Sequence, residues 1–241
     1  MDVVSIWNMA LGNIGSTALL SSINDTNKAA QQSNLWWPLA RQKILRDYGW
    51  TFASQTITLQ QIPASVYQPP EYAYAFGYPA DCLRAIELLS PAGRRPPGPL
   101  RIPFIVRASP TAFGAAGTTR YILTDLAPGT INSGGIGSIG SWDDGCDPWW
   151  STLGGLADGT QLPCLRYTAD IQDPTAYTPE FIEALAWQLA SYLAMPMAQN
   201  KGLKTEAEQM ARRVVLEAVG VDMNEQQNDQ PLDSEPGMAR Q

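Results

Sequence analysis

Apolar positions repeat every three to four residues at both ends of the chain and every second residue in its middle. Near the start, Val3, Trp7, Ala10, Leu11 and Ile14 predict a helix over about 2–13, with Gly15 as its stop. Asn24, Asp25 and Thr26 are capping types placed before a second helical pattern. In that pattern Ala29, Ser33, Trp36, Ala40, Ile44 and Tyr48 form one stripe, with Arg41, Lys43 and Arg46 off it. Pro38 interrupts the pattern; an interior proline removes a backbone hydrogen bond, so a kink or a split near Trp37 is expected.

From Thr51 the period becomes two. Thr56 to Leu59, Tyr72 to Tyr78, Leu83 to Leu89, Phe104 to Arg107, Arg120 to Thr124 and Leu165 to Thr168 predict strands. Within the second of these, Tyr72, Tyr74, Phe76 and Tyr78 are placed on one face, and Ala73, Ala75 and Gly77 on the other. The proline-rich segment Pro91 to Pro103 reads as a loop.

Helical periodicity then returns. Thr178 caps a helix with Pro179 at its first position and Glu180 and Glu183 in its first turn. Phe181, Leu185, Leu189 and Tyr192 make one stripe. Ala186, Ala190 and Ala194 make a ridge that admits another helix closely, and Pro196 closes the element. A last helix over about Leu203 to Val219 carries Leu203, Ala207, Met210, Val214 and Ala218 on one face. Glu208 and Arg212 are expected to pair on its exposed side, and Gly220 to end it.

The predicted class is α+β: a helical bundle built from residues 1–50 and 176–221, with a small antiparallel β domain, 51–175, inserted between them. Residues 222–241 are polar and acidic, and a flexible tail is expected there.

The insertion at about 127–162 is compositionally unlike the rest. Nine of the 20 glycines fall between Gly129 and Gly159, together with Trp142, Trp149 and Trp150. Glycine-rich chain alone reads as linker, yet large aromatics are the anchors that interfaces use. Two readings stand: the tryptophans bind a partner, or they fold back onto their own domain. Arg94 and Arg95, with Arg101 and Arg107, form a basic patch that either is solvated loop or meets an acidic partner or a phosphate.

Composition excludes much chemistry. The formal charge of −7 opposes general nucleic-acid binding but suits a surface that DNA slides past. The absence of His removes the commonest general base and metal ligand. Cys82, Cys146 and Cys164 are widely spaced, so neither a zinc site nor a disulfide framework is expected, and they read as reduced thiols. Asp143, Asp144 and Asp147 lack the ligand spacing of a calcium loop. Among Glu71, Asp81, Glu87, Asp125, Glu180 and Glu183, no spacing singles out a glycan-cleaving pair. Neither phosphate-binding glycine motifs nor a nucleophile elbow occurs. No catalytic, cofactor or metal site is therefore predicted. With no apolar run long enough to span a bilayer and no basic-flanked leader, synthesis in the cytoplasm is expected.

An ordered set of short motifs resembles one family. Asn8, Ala10-Leu11, Gly12, Ile14-Gly15, Ile23, Asp25 and Ala29, then Arg41 and Leu45, and Trp50-Thr51-Phe52-Ala53 are similar to the N-terminal block of tail tubular protein A, the head-to-tail adaptor of short-tailed bacteriophages. Tyr74-Ala75-Phe76, Pro79-Ala80-Asp81-Cys82-Leu83-Arg84, Tyr167, Asp173, Phe181, Ala184-Leu185 and Leu189-Ala190 continue the resemblance in the same order. The Gly/Trp insertion and Pro38 depart from the family pattern.

The resemblance implies a non-enzymatic virion protein of the tail and neck, made in the host cytoplasm. It implies a dodecameric ring between the portal protein and the tail tube or nozzle, with genomic DNA passing through the lumen and no membrane contact. It also implies that the C-terminal extension reaches the portal and orders there. Two alternatives remain: a tail-associated peptidoglycan hydrolase, or another tail subunit such as a nozzle protein.

Overall fold

A computed structural model describes residues 1–67, 69, 71–89, 102–110, 118–126, 128–131 and 159–226. The chain is α+β, with helices from both ends flanking an inserted β region. It divides into two compact units, one of 1–54 with 168–241 and one of 55–167. The division falls at 54/55 and 167/168, against 50/51 and 175/176 in the sequence reading.

The first unit holds four helices: α1 (Val3–Asn13), α2 (Lys28–Asp47), α3 (Pro179–Leu193) and α4 (Lys201–Gln226). α3 packs against each of the other three. Its nine buried residues, among them Phe181, Leu185, Ala186, Leu189 and Ala190, surround the helix instead of lining one stripe. The alanine ridge is thus part of an almost wholly enclosed helix.

Phe181 is the hub of an aromatic cluster. Trp50, Phe52 and Tyr177 place ring centroids 5.1, 5.0 and 4.9 Å from it. Such contacts add about 0.5–1.5 kcal/mol per pair beyond burial. The indole N–H of Trp50 donates to the Ile44 carbonyl at 3.0 Å, so this buried ring keeps its polar group satisfied. Trp50-Thr51-Phe52-Ala53 therefore serves packing: two rings and a buried methyl close one side of α3.

Polar side chains hold the connections. Asn8 grips Leu20 on both sides, donating to its carbonyl at 2.9 Å and accepting from its N–H at 2.8 Å. Gly15 adopts φ +71°, a left-handed conformation that favours glycine. Asp25 accepts from the N–H groups of Ser21 and Ser22, which holds its carboxyl below the usual range. Asp25 thus orders the approach loop, and the cap of α2 is Asn27, which accepts from Ala30 N–H at 2.8 Å. The cap expected among Asn24, Asp25 and Thr26 falls one residue late.

α2 runs unbroken through Pro38, which removes the split near Trp37 from the two alternatives expected there. Pro38 and Asn34 are both exposed, so the Asn34 carbonyl that loses its donor can face water. Trp37, not Trp36, is the buried indole of α2.

Arg41, placed off the apolar stripe, is buried. Its guanidinium forms a forked pair with Asp170, with contacts of 2.9–3.1 Å, and Gln42 donates to the second carboxylate oxygen at 3.0 Å. The two side chains are only 8% and 13% exposed. Periodicity misses this because a charged residue enters a core only with a partner 129 positions away.

α3 does not stop at Pro196. It continues as a π-helical turn over Ala194–Ala198 and ends at Gln199 in the left-handed region. α4 likewise passes Gly220 and extends to Gln226. Asp222, assigned above to the tail, is buried and accepts from Thr51 N–H at 3.1 Å. Its carboxylate caps the 3-10 turn Thr51–Ala53, and that contact makes the extra helical turn worth forming. Glu208 pairs with Lys204, not Arg212, and Arg213 pairs with Glu217. The rest of the expected tail, 227–241, lies outside the described residues.

The second unit is built from short strands. β1 (Ser54–Thr58), β8 (Cys164–Ala169) and β3 (Cys82–Leu89) form one sheet in the order β1-β8-β3. β2 (Tyr74–Gly77), β5 (Thr118–Thr124) and β4 (Ile105–Pro110) form an antiparallel second, with Ala75 opposite Leu123 and Leu123 opposite Ile105. β6 (Gly129–Ile131) and β7 (Gly159–Gln161) pair antiparallel at the two ends of the Gly/Trp insertion.

Ala75 and Phe76, on opposite faces of β2, are both buried. Both faces of that strand are covered. Ala75, Tyr121 and Leu123 make one core, flanked by Ile62, Tyr67, Tyr72 and Ile105.

Removing one partner of the Arg41–Asp170 pair strands a buried charge. Arg41→Ala is expected to lower stability by about 3–5 kcal/mol, read as a fall in the urea midpoint, while Lys43→Ala at an exposed position changes it by less than about 0.5 kcal/mol.

Candidate interaction surfaces and the polar turn

The Pro79–Cys82 turn carries the densest set of chemically able side chains among the described residues. The Cys82 N–H bonds the Pro79 carbonyl at 3.1 Å and closes the turn. The Tyr167 hydroxyl reaches both Asp81 oxygens at 3.1 and 3.2 Å, with Gln55 Oε1 at 3.3 Å. The Tyr78 hydroxyl bonds the Cys82 thiol, and the Arg120 guanidinium sits 5.6 Å over the Tyr78 ring.

Burial first, then Cys82 for Tyr78 and Asp81 for Tyr167, push the two phenols up to about 12, with Arg120 acting in the opposite direction on Tyr78. Burial also raises the Cys82 thiol. A thiol held protonated is a weak nucleophile, and a phenol raised this far is a poor base near neutrality. The cluster holds the turn together.

Four of the six carboxylates named as nominal catalytic pairs make structural contacts. Glu71 pairs with Arg107, and Glu87 with Arg166 at 3.2 Å. Asp81 accepts from Tyr167, and Asp125 from the Ala73 N–H at 3.0 Å. Asp2 and Asp173 are lowered, like Asp25, chiefly by hydrogen bonds from nearby Ser or Thr groups. Among the described residues, no group of three or more Cys, Asp, Glu or His side chains is placed to hold a metal.

The proposed partner-binding residues Trp142, Trp149, Trp150, Arg94 and Arg95 lie outside the described residues. Arg101 does too. Arg107, grouped with them as a basic patch, has its charge countered by Glu71.

What sequence reading missed are two outward apolar faces on the helical unit. On α2, Leu35 and Leu39 are 63% and 49% exposed. Beside them Trp36 stacks on Tyr192 at 5.3 Å, with the Lys43 ammonium 5.8 Å from the Tyr192 ring. On α4, Leu216 is 71% exposed, and Val221 and Met223 are also open to solvent. A signal was present: Leu216 and Met223 are seven residues apart, which returns them to one side of a helix. It was obscured because the assumed stop at Gly220 removed Met223 from the helix.

No described helix is long and apolar enough to cross a membrane. Compared with protein-family models and with curated proteins, the chain matches none.

The raised tyrosines fix the sign of an alkaline effect. Tyr78, Tyr167 and Tyr177 sit near 12 in the folded chain against an ordinary 10, so their contribution is intact below pH 10. It is lost as pH rises from 10 through 12, because the unfolded chain releases these protons first. Urea midpoints are expected to begin falling near pH 9, where the raised Cys82 thiol acts first, and to fall more steeply above 10 as the tyrosines follow, and Tyr167→Phe should make the fall above 10 shallower.

Proposed function

We propose that this chain is the structural adaptor of a phage head-to-tail connector. It would form a ring between the portal and the tail tube or nozzle, through which DNA passes, in the neck of the virion. The observation that supports the reading is the architecture: both chain ends contribute to one helical unit, with a β unit inserted between them. The family that the ordered motifs resemble has a helical bundle with an attached small β domain, with which this arrangement agrees.

The motif residues themselves have mechanical employment. Asn8, Gly15 and Asp25 set the loop between α1 and α2. Arg41 locks α2, Trp50 and Phe52 close on Phe181, and Asp81 ties Tyr167. Residues used in this way suit a rigid assembly block, and none is left poised for chemistry. The acidic composition suits a lumen past which DNA moves without adhering.

Electron microscopy of the purified protein mixed with a portal ring tests the proposal. Saturable stacking as a coaxial ring is the expected result. Failure to associate with the portal over a range of salt, or lysis of purified peptidoglycan by the protein, would falsify it.

A further inference from the structure

We propose that the last turn of α4, Val221 to Gln226, is a detachable latch that docks on the Thr51–Ala53 turn and releases at Gly220 while the rest of α4 stays packed. The inference goes beyond the adaptor reading and does not depend on it.

The inward side of α4 changes its chemistry where the latch begins. Ala207, Ala211, Val214 and Ala218 are buried at three- and four-residue intervals, and the next inward position is Asp222, 5% exposed. Around it Val221, Met223 and Asn224 are exposed. Up to Ala218 the helix is held by apolar burial; beyond it the buried group is a carboxylate.

That carboxylate meets main chain 171 positions away. The Thr51 N–H donates to both of its oxygens, at 3.1 and 3.3 Å. Trp50, at the N-cap of the Thr51–Ala53 turn, makes no side-chain capping bond. Asp222 therefore supplies from α4 the acceptor that a capping side chain ordinarily provides. Burial first and the Asp222 carboxylate second raise the Tyr48 phenol, which sets the same carboxylate near the end of α2. One side chain thus ties the end of α4 to the segment in which α2 gives way to the turn.

The two modes of attachment fail differently. Apolar burial is spread over many contacts and is lost in parts, whereas a buried carboxylate must keep its donors or return to water. The last turn therefore undocks as a unit. Gly220 stands just before it and weakens the helix there, since glycine favours a helix interior about fivefold less than alanine does. A Cβ added at Gly220 would meet nothing within 4 Å, so packing does not call for glycine at this position. Helix ends attached in this way open at lower free energy than the core they extend. Release returns Asp222 to water and uncaps the Thr51–Ala53 turn. It also moves the point from which the following chain departs by up to about 20 Å, the extended length of the freed turn.

Hydrogen–deuterium exchange on the full chain tests the latch. In the parent, amides of 221–226 should exchange at least about tenfold faster than those of 207–218. Asp222→Ala should speed exchange at 221–226 and at Thr51 to Ala53 together, by more than about tenfold, with 207–218 and α3 unchanged. Gly220→Ala should slow exchange at 221–226 by about fivefold. This second variant leaves Asp222 in place and carries the test if Asp222→Ala fails to fold.

One common exchange rate across 207–226 in the parent overturns the proposal. So does Asp222→Ala that loosens α3 and the whole of α4, or that leaves Thr51 to Ala53 as protected as before. Gly220→Ala without effect on 221–226 overturns it as well.

Discussion

α3 sets the terms for the helical unit. A 15-residue helix with apolar or small residues around most of its circumference cannot rest against one neighbour; it must be enclosed. Its enclosure comes from α1 and α2 at one end of the chain and α4 at the other. Burying a side chain such as Phe181 or Leu185 is worth about 1.5–3 kcal/mol, and several such contributions depend on the two ends meeting. This explains why the β unit is an insertion. The chain leaves the helical unit after Ser54 and re-enters it at Thr168, just before the helix around which the others gather.

Once α3 is enclosed, several buried polar groups are met by partners, some of them distant in sequence, while the Trp7 and Trp36 indole N–H groups and the Ser33 and Thr168 hydroxyls are left without one among the described residues. Trp50 enters the core with its N–H already bonded to Ile44. Arg41 enters with Asp170 and Gln42. Asp222 enters by capping Thr51. A forked ion pair with a third donor satisfies more of its lone pairs than a simple contact, which is the condition under which a buried pair is tolerated. These contacts add directional specificity to a core whose apolar packing is largely directionless.

The helices that enclose α3 have a second side, and its chemistry differs from that of an ordinary solvated face. Leu35 and Leu39 on α2, and Leu216, Val221 and Met223 on α4, interrupt otherwise polar exteriors. In the polar turn, burial above all raises the Tyr78 and Tyr167 phenols and the Cys82 thiol, which keeps these three groups protonated near neutrality.

Element type was legible from the residues because period alone reports it. The spacing of Trp7, Ala10 and Leu11, the Thr178–Pro179 start and the alternation of Thr56 to Leu59 each need only the near neighbours that set a helical or extended backbone. What tertiary structure decided were positions where a distant partner outweighs local preference. Arg41 goes inside because Asp170 meets it; α4 continues through Gly220 because Asp222 finds Thr51; Trp37 replaces Trp36 in the core because α1 presents Trp7, 6.3 Å away. The open apolar faces belong to the same class, since a leucine on a helix shows no sign of whether its own chain covers it. Local periodicity is a property of short segments, whereas burial of a charge, persistence of a helix past a glycine and exposure of a leucine depend on groups far away in sequence.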